Sequence, residues 1–143
     1  MLGRKPGTDI FRPYKESSGD KTFSGLLILR TENSMTFASV PRLRDKIWAL
    51  IHATEPEILA LDLSAVPEIE YTALLMLTSF EEKLREAGIT LWLVALNPKP
   101  LEMVQRSPLF KTPGFEGMFF NLEQAVEAYQ GQETAIPENE EAE

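Results

Sequence analysis

Runs of apolar residues alternate with segments whose apolar positions recur every three or four residues. "FSGLLILR" (23–30) reads as a buried strand. "TENS" turns the chain, and "MTFASV" reads as a second, short strand. In "PRLRDKIWALIHATE", Val40, Leu43, Ile47 and Leu50 or Ile51 fall at helical spacing. Pro41 suits a first helical turn and Ser39 its N-cap. "EILALDLS" (57–64) is short, apolar and strand-like. "YTALLMLTSFEEKLREAG" predicts the clearest helix, with Ala73, Met76, Leu77, Phe80, Leu84 and Ala87 on one face and Gly88 as its stop. "ITLWLVAL" (89–96) is apolar on both faces, as in a central parallel strand. Asn97-Pro98 opens a helix that Ser107-Pro108 closes. "KTPGFEGMFF" reads as loop ending in a short edge strand. Asn121 caps a last helix, with Gln124 placed for a capping-box contact.

This alternation predicts an α/β domain with a mixed, mainly parallel sheet of 4–5 strands flanked by about 4 helices. In such folds ligands and partners meet the loops at the carboxyl ends of the strands. Here those are the loops after Ser64 and after Leu96, with the segment near Phe37.

Composition narrows the function classes. With 143 residues, 43% hydrophobic and 25% charged, the chain fits one ordinary soluble domain. It has no cysteine and one histidine, which excludes disulfides, thiolate chemistry and a His-rich metal site. No apolar run reaches a membrane span, and the polar start lacks a leader pattern, so the chain as written reads as soluble and cytoplasmic. The net charge of −8 argues against nucleic acid as a partner. That charge is uneven. Residues 1–22 carry five bases and three acids and read as a linker or arm. Residues 131–143 carry five glutamates and no base, and read as a solvated, disordered tail.

The stretch "LDLSAVPEIEYTALLML" (61–77) concentrates the candidate chemistry. Asp62, Glu68 and Glu70 lie near one strand end, where paired carboxylates could do acid/base work or hold Mg²⁺. No base stands beside them, and no glycine-rich phosphate loop precedes the helix. Acids before a helix also complement its dipole, so the structural role outweighs catalysis. Thr72 falls at the helix start, as a cap or first-turn residue or as a phosphoacceptor. A phosphate there would meet free N–H groups but also Glu68 and Glu70. Tyr71 and Phe37 could stack on a ring.

The same stretch resembles the signature of the STAS domain, found in sulfate transporters and anti-sigma-factor antagonists. Asp62, Ser64, Val66 and Ile69 match its pattern. Glu70 stands in the Asp place, Thr72 in the Ser/Thr place and Ala73 in the Gly place. The similarity runs over about 23–130, including "LLILRTENSMTFASVPRLRDKI" and "GMFFNLEQAVEAY". "LLILRTENSMTFAS" and "LGRKPGTDIFRP" resemble the leading segment and membrane junction of SulP-type anion transporters. The resemblance implies a STAS domain at 23–130, a connection to a membrane domain at 1–22 and an acidic tail at 131–143. It also implies a cytoplasmic regulatory, dimerising and partner-binding role under the inner (plasma) membrane, with no catalysis. The partners implied are the transporter's own membrane domain, a second copy and a regulatory protein. The alternatives are a stand-alone antagonist switched at Thr72, or a sensor with weak nucleotide binding and no other cofactor. The resemblance makes Thr72 the regulatory position and Phe37, Ser39, Asp62, Ser64, Glu68, Glu70, Tyr71 and Asn97 the interaction or nucleotide-loop candidates.

Overall fold

A computed structural model describes residues 1–8, 10–15, 19–111 and 117–131. Its centre is a four-stranded parallel sheet in the order β3-β4-β5-β6, formed by β3 (Leu26–Glu32), β4 (Ile58–Ala65), β5 (Thr90–Val94) and β6 (Met118–Phe119). Leu26 pairs with Ile58, Ile58 with Thr90, and Leu93 with Met118. Strands alternate with α1 (Val40–Thr54), α2 (Tyr71–Glu86), α3 (Pro98–Gln105) and a fourth helix, α4, over 122–131.

Both faces of the sheet are covered, which explains why its strands read as continuous apolar runs. The side-chain period of two divides them cleanly. Leu27, Leu29, Leu59, Leu61, Leu63, Leu91 and Leu93 pack against Ile47 and Ile51 of α1, Leu74, Leu77, Phe80 and Leu84 of α2, and Val104 of α3. Leu26, Ile28, Ile58, Ala60, Trp92 and Val94 face Leu122, Ala125, Val126 and Tyr129 of α4. Leu61 and Leu77 are almost wholly buried; truncating either to Ala would cost about 2–5 kcal/mol.

The helix ends follow the sequence closely. Gly88 adopts φ 80°, its N–H bonds the Arg85 carbonyl, and the Ile89 N–H bonds the Leu84 carbonyl. That doubly bonded left-handed exit terminates α2. Gly25 (φ 83°) is needed for a different reason: a Cβ there would collide with the Tyr129 hydroxyl. That hydroxyl donates to the Ser24 carbonyl and ties α4 to the start of β3.

Several local expectations are corrected. Within residues 1–22, read from the sequence as a linker or arm, β1 (Leu2–Arg4) and β2 (Phe11–Pro13) form an antiparallel ribbon. Leu2 inserts into the α4-side core with Phe11 against it, and Arg12 clasps buried Asp20 through two contacts of 2.6 Å. Hydrogen bonding to Asp20 holds the Arg12 guanidinium still more firmly protonated. "MTFASV" is a turn, with only Met35 making a strand-like bridge, to Ile69. Ser39 precedes α1 but its hydroxyl caps nothing in the helix; it accepts from the Thr36 N–H at 2.9 Å. Asn121 does cap α4, accepting from the Gln124 N–H at 2.9 Å. Gln124 reaches back one residue further than a capping box requires, to the Phe120 N–H. The main sheet is wholly parallel; antiparallel pairing is confined to the ribbon and to isolated bridges among the described residues. Of residues 131–143, read from the sequence as a disordered tail, residue 131 closes α4 and 132–143 lie outside the described residues.

Candidate functional site

The carboxyl ends of β3, β4 and β5 place the loops 33–39, 65–70 and 95–97 side by side. Backbone bonds join the first two: Asn33 N–H to the Ala65 carbonyl, Met35 N–H to the Glu68 carbonyl, and Glu70 N–H to the Met35 carbonyl. Asn97 joins the second and third. Its Nδ2 donates to the carbonyls of Ser64 (3.1 Å) and Val66 (2.9 Å). One side-chain amide thus fixes the exit of β4 to the start of α3, where unpaired carbonyls would otherwise be left.

Asp62 serves the interior. It is 1% exposed, stands beside Arg30 in register, and accepts from Arg30 Nε and from the Ser64 N–H, each at 2.9 Å. Arg30 was not among the candidates. Its position as the one base closing the apolar run "LLILR" was visible, but its partner depends on strand register. Asp62 faces α4, away from Thr72, so the three acids of the signature do not converge.

Glu68 and Glu70 lie on the exposed rim. Glu70 is the residue preceding α2, and its carboxylate accepts from the Phe37 N–H at 3.3 Å. Phe37 and Tyr71 are exposed by 64% and 63%, and Leu75, one turn along α2 from Tyr71, is also exposed. Thr72 is the second residue of α2 and exposed. Its position is a first-turn one rather than a cap. Around it the surface is therefore apolar rings edged by two carboxylates. Among the described residues, no three acids or histidines gather in a way that could hold a metal ion.

A second feature opens beside Asn97. Ser64, Ala95, Leu96, Asn97, Leu101 and Phe119 line part of a groove of about 520 Å³. Phe120 at its edge is 81% exposed. These residues come from three elements far apart in sequence, and only the 64 and 97 positions had been singled out. α3, which forms one wall, begins Pro98-Lys99-Pro100.

The STAS domain family model matches residues 20–126. The chain belongs to the STAS domain family. A curated relative, "Probable sulfate transporter 3.5" from Arabidopsis thaliana, is 30% identical over 131 residues, covering 89% of this chain and 20% of the relative. The chain spans about a fifth of the length of the curated relatives it matches. The fold superposes on the murine Slc26a9 anion transporter in its inward-facing state with a TM-score of 0.81 at 20% identity, covering 91% of this chain and 22% of that one. It also superposes on the anti-sigma factor antagonist SpoIIAA in its unphosphorylated form, with a TM-score of 0.62 at 14% identity, covering 78% of this chain and 94% of that one. In this STAS domain the candidate residues therefore divide between a structural lock (Asp62, Ser64, Asn97) and an exposed rim (Phe37, Glu68, Glu70, Tyr71, Thr72).

Proposed function

We propose that this STAS domain is the cytoplasmic C-terminal part of a SulP-type anion transporter, carrying sulfate, bicarbonate or a related small anion. Its role is regulation and contact, not catalysis. The observation that carries this reading is the run of curated sulfate transporters among the relatives, one of them 30% identical to this chain over 89% of its length. The ribbon of β1 and β2, anchored by Leu2 and Arg12, joins a preceding membrane helix to the sheet. The contact surface is the rim of Phe37, Tyr71 and Leu75, whose exposed apolar area suits a neighbouring protein surface.

The test starts with the reading frame upstream of the Met1 codon, where an in-frame membrane domain is expected. Uptake of labelled sulfate and bicarbonate by the whole natural polypeptide should then fall when 23–130 is deleted. A frame that opens at Met1, or transport indifferent to the deletion, overturns the proposal.

The second reading is a phosphorylation-controlled antagonist. It is favoured by the exposure of Thr72 at the start of α2 and opposed by Glu68 and Glu70 beside it.

A further inference from the structure

The α4 face of the sheet carries a cation that its ion pair does not use up. Arg30 and Asp62 stand two residues beyond Ile28 and Ala60, and their side chains share that face. Asp62 is spent: one oxygen accepts from Arg30 Nε and the other from the Ser64 N–H. Arg30 is not. Its two terminal nitrogens bond nothing among the described residues. Arg30 borders a cavity of about 330 Å³ whose lining includes Phe11, Asp62, Ser64, Asn121 and Glu123. Glu123, in the first turn of α4, is exposed and forms no ion pair among the described residues. The cavity thus presents one unspent positive charge and one unspent negative charge.

This cavity shares Ser64 and Ala95 with the groove of about 520 Å³ beside Asn97, so the two meet at the carboxyl ends of β4 and β5. No charged side chain lines the groove; Leu96, Leu101, Met118, Phe119 and Phe120 supply its apolar walls. Ala95, at the junction, holds a left-handed φ of 58°. A β-carbon disfavours that conformation, and such residues recur at ligand clamps. Small-molecule pockets have this make-up: apolar walls, a few placed polar groups and volumes of about 300–1,000 Å³.

We infer that the joined cavities hold a small zwitterion with an apolar tail, the chemistry of an apolar α-amino acid. Its carboxylate sits on the terminal nitrogens of Arg30, in charge-assisted bonds. Its ammonium sits on Glu123, and its tail passes Ser64 and Ala95 into the groove. Charge complementarity selects this occupant. A phosphate or sulfate would meet Asp62 and Glu123 with no second cation to offset them. An amine without a carboxylate would leave Arg30 unpaired, and a ligand without a tail would leave the groove walls in water.

Titration of the full chain with L-phenylalanine, followed by amide NMR shifts, should saturate with a Kd of about 1 mM or tighter. The shifts should centre on Arg30, Ser64, Ala95, Phe119 and Glu123. Hydrocinnamate, which lacks the ammonium, and phenethylamine, which lacks the carboxylate, should each bind about tenfold more weakly, the effect of one lost charge-assisted bond. Glu123→Gln should abolish the preference over hydrocinnamate, and Arg30→Met the preference over phenethylamine. If Arg30→Met unfolds, Ser64→Phe serves. Ser64 is exposed, its backbone N–H stays on Asp62, and the ring fills the junction, so the L-phenylalanine shifts should vanish from an otherwise native spectrum. No saturable shift up to about 10 mM, equal affinity for L-phenylalanine and hydrocinnamate, or shifts that survive Ser64→Phe overturns the inference. Inorganic phosphate or sulfate binding as tightly as L-phenylalanine at the same amides also overturns it.

Discussion

Replacing Asp62 by Ala removes the acceptor for two donors at once, Arg30 Nε and the Ser64 N–H, each at 2.9 Å. The Asp62 side chain is 2% exposed and that of Arg30 33%, so the pair is neither a surface bridge nor a sealed one. Breaking a sealed pair costs about 3–5 kcal/mol, and an exposed one about 0–1. Arg30 can turn partly to water, and Ser64 is itself exposed, which places the expected loss at about 2–3 kcal/mol. With a urea slope of about 2 kcal/mol/M for a domain of this size, the midpoint should fall by about 1–1.5 M. Asp62→Asn keeps an oxygen for the Ser64 N–H while removing the charge, and should cost about half as much. A double-mutant cycle with Arg30→Met then isolates the ion pair, with an expected coupling of about 1 kcal/mol or more. A midpoint shift below about 0.3 M for Asp62→Ala, or additivity within about 0.3 kcal/mol, would refute the view of Asp62 as the structural lock of the signature.

Two further outcomes follow from the same loops. Asn97→Ala deprives two carbonyls of their donor and should lower stability by about 1–2 kcal/mol; hydrogen exchange should quicken at 64–68 while the centre of β4 stays protected, and a uniform change across β4 would contradict the local role. Thr72→Glu sits at an exposed first-turn position where dipole attraction and repulsion from Glu68 and Glu70 oppose each other, so melting should register less than about 0.5 kcal/mol. If the second reading holds, that variant instead abolishes binding to a kinase-like partner in calorimetry, and undiminished binding dismisses the switch.

The principal strands and helices were legible because each is built from a period the sequence displays. β3, β4 and β5 are short apolar runs, and α2 carries both its stripe and its glycine stop. The ribbon was not legible. Its strands have three residues each, too few for a period, and what holds them is distant: Leu2 under α4, and Arg12 on Asp20. "MTFASV" misled for the opposite reason. Its strand-like composition serves one bridge, Met35 to Ile69, while Thr36 and Ser39 bond each other and close a turn. The candidate residues do fall on loops at one edge of the sheet, but their division was hidden. Register across β3 and β4 decides that Asp62 meets Arg30, and a crossing of more than thirty residues brings Asn97 to Ser64. No local pattern encodes either.

The helix starts gathered at the loop edge have a bearing on ions. α3 opens with prolines at its first and third positions, so only Lys99 among the first three residues keeps an N–H, and α1 has Pro41 in its first turn. α2 retains its donors, but Glu68 and Glu70 stand before them. A helix start ordinarily offers a seat for phosphate or sulfate; here two starts have donors removed by proline and the third is guarded by negative charge. Such an edge would hold a small anion only weakly, leaving the rim of Phe37, Tyr71 and Leu75 open to protein contact whatever the anion concentration around it.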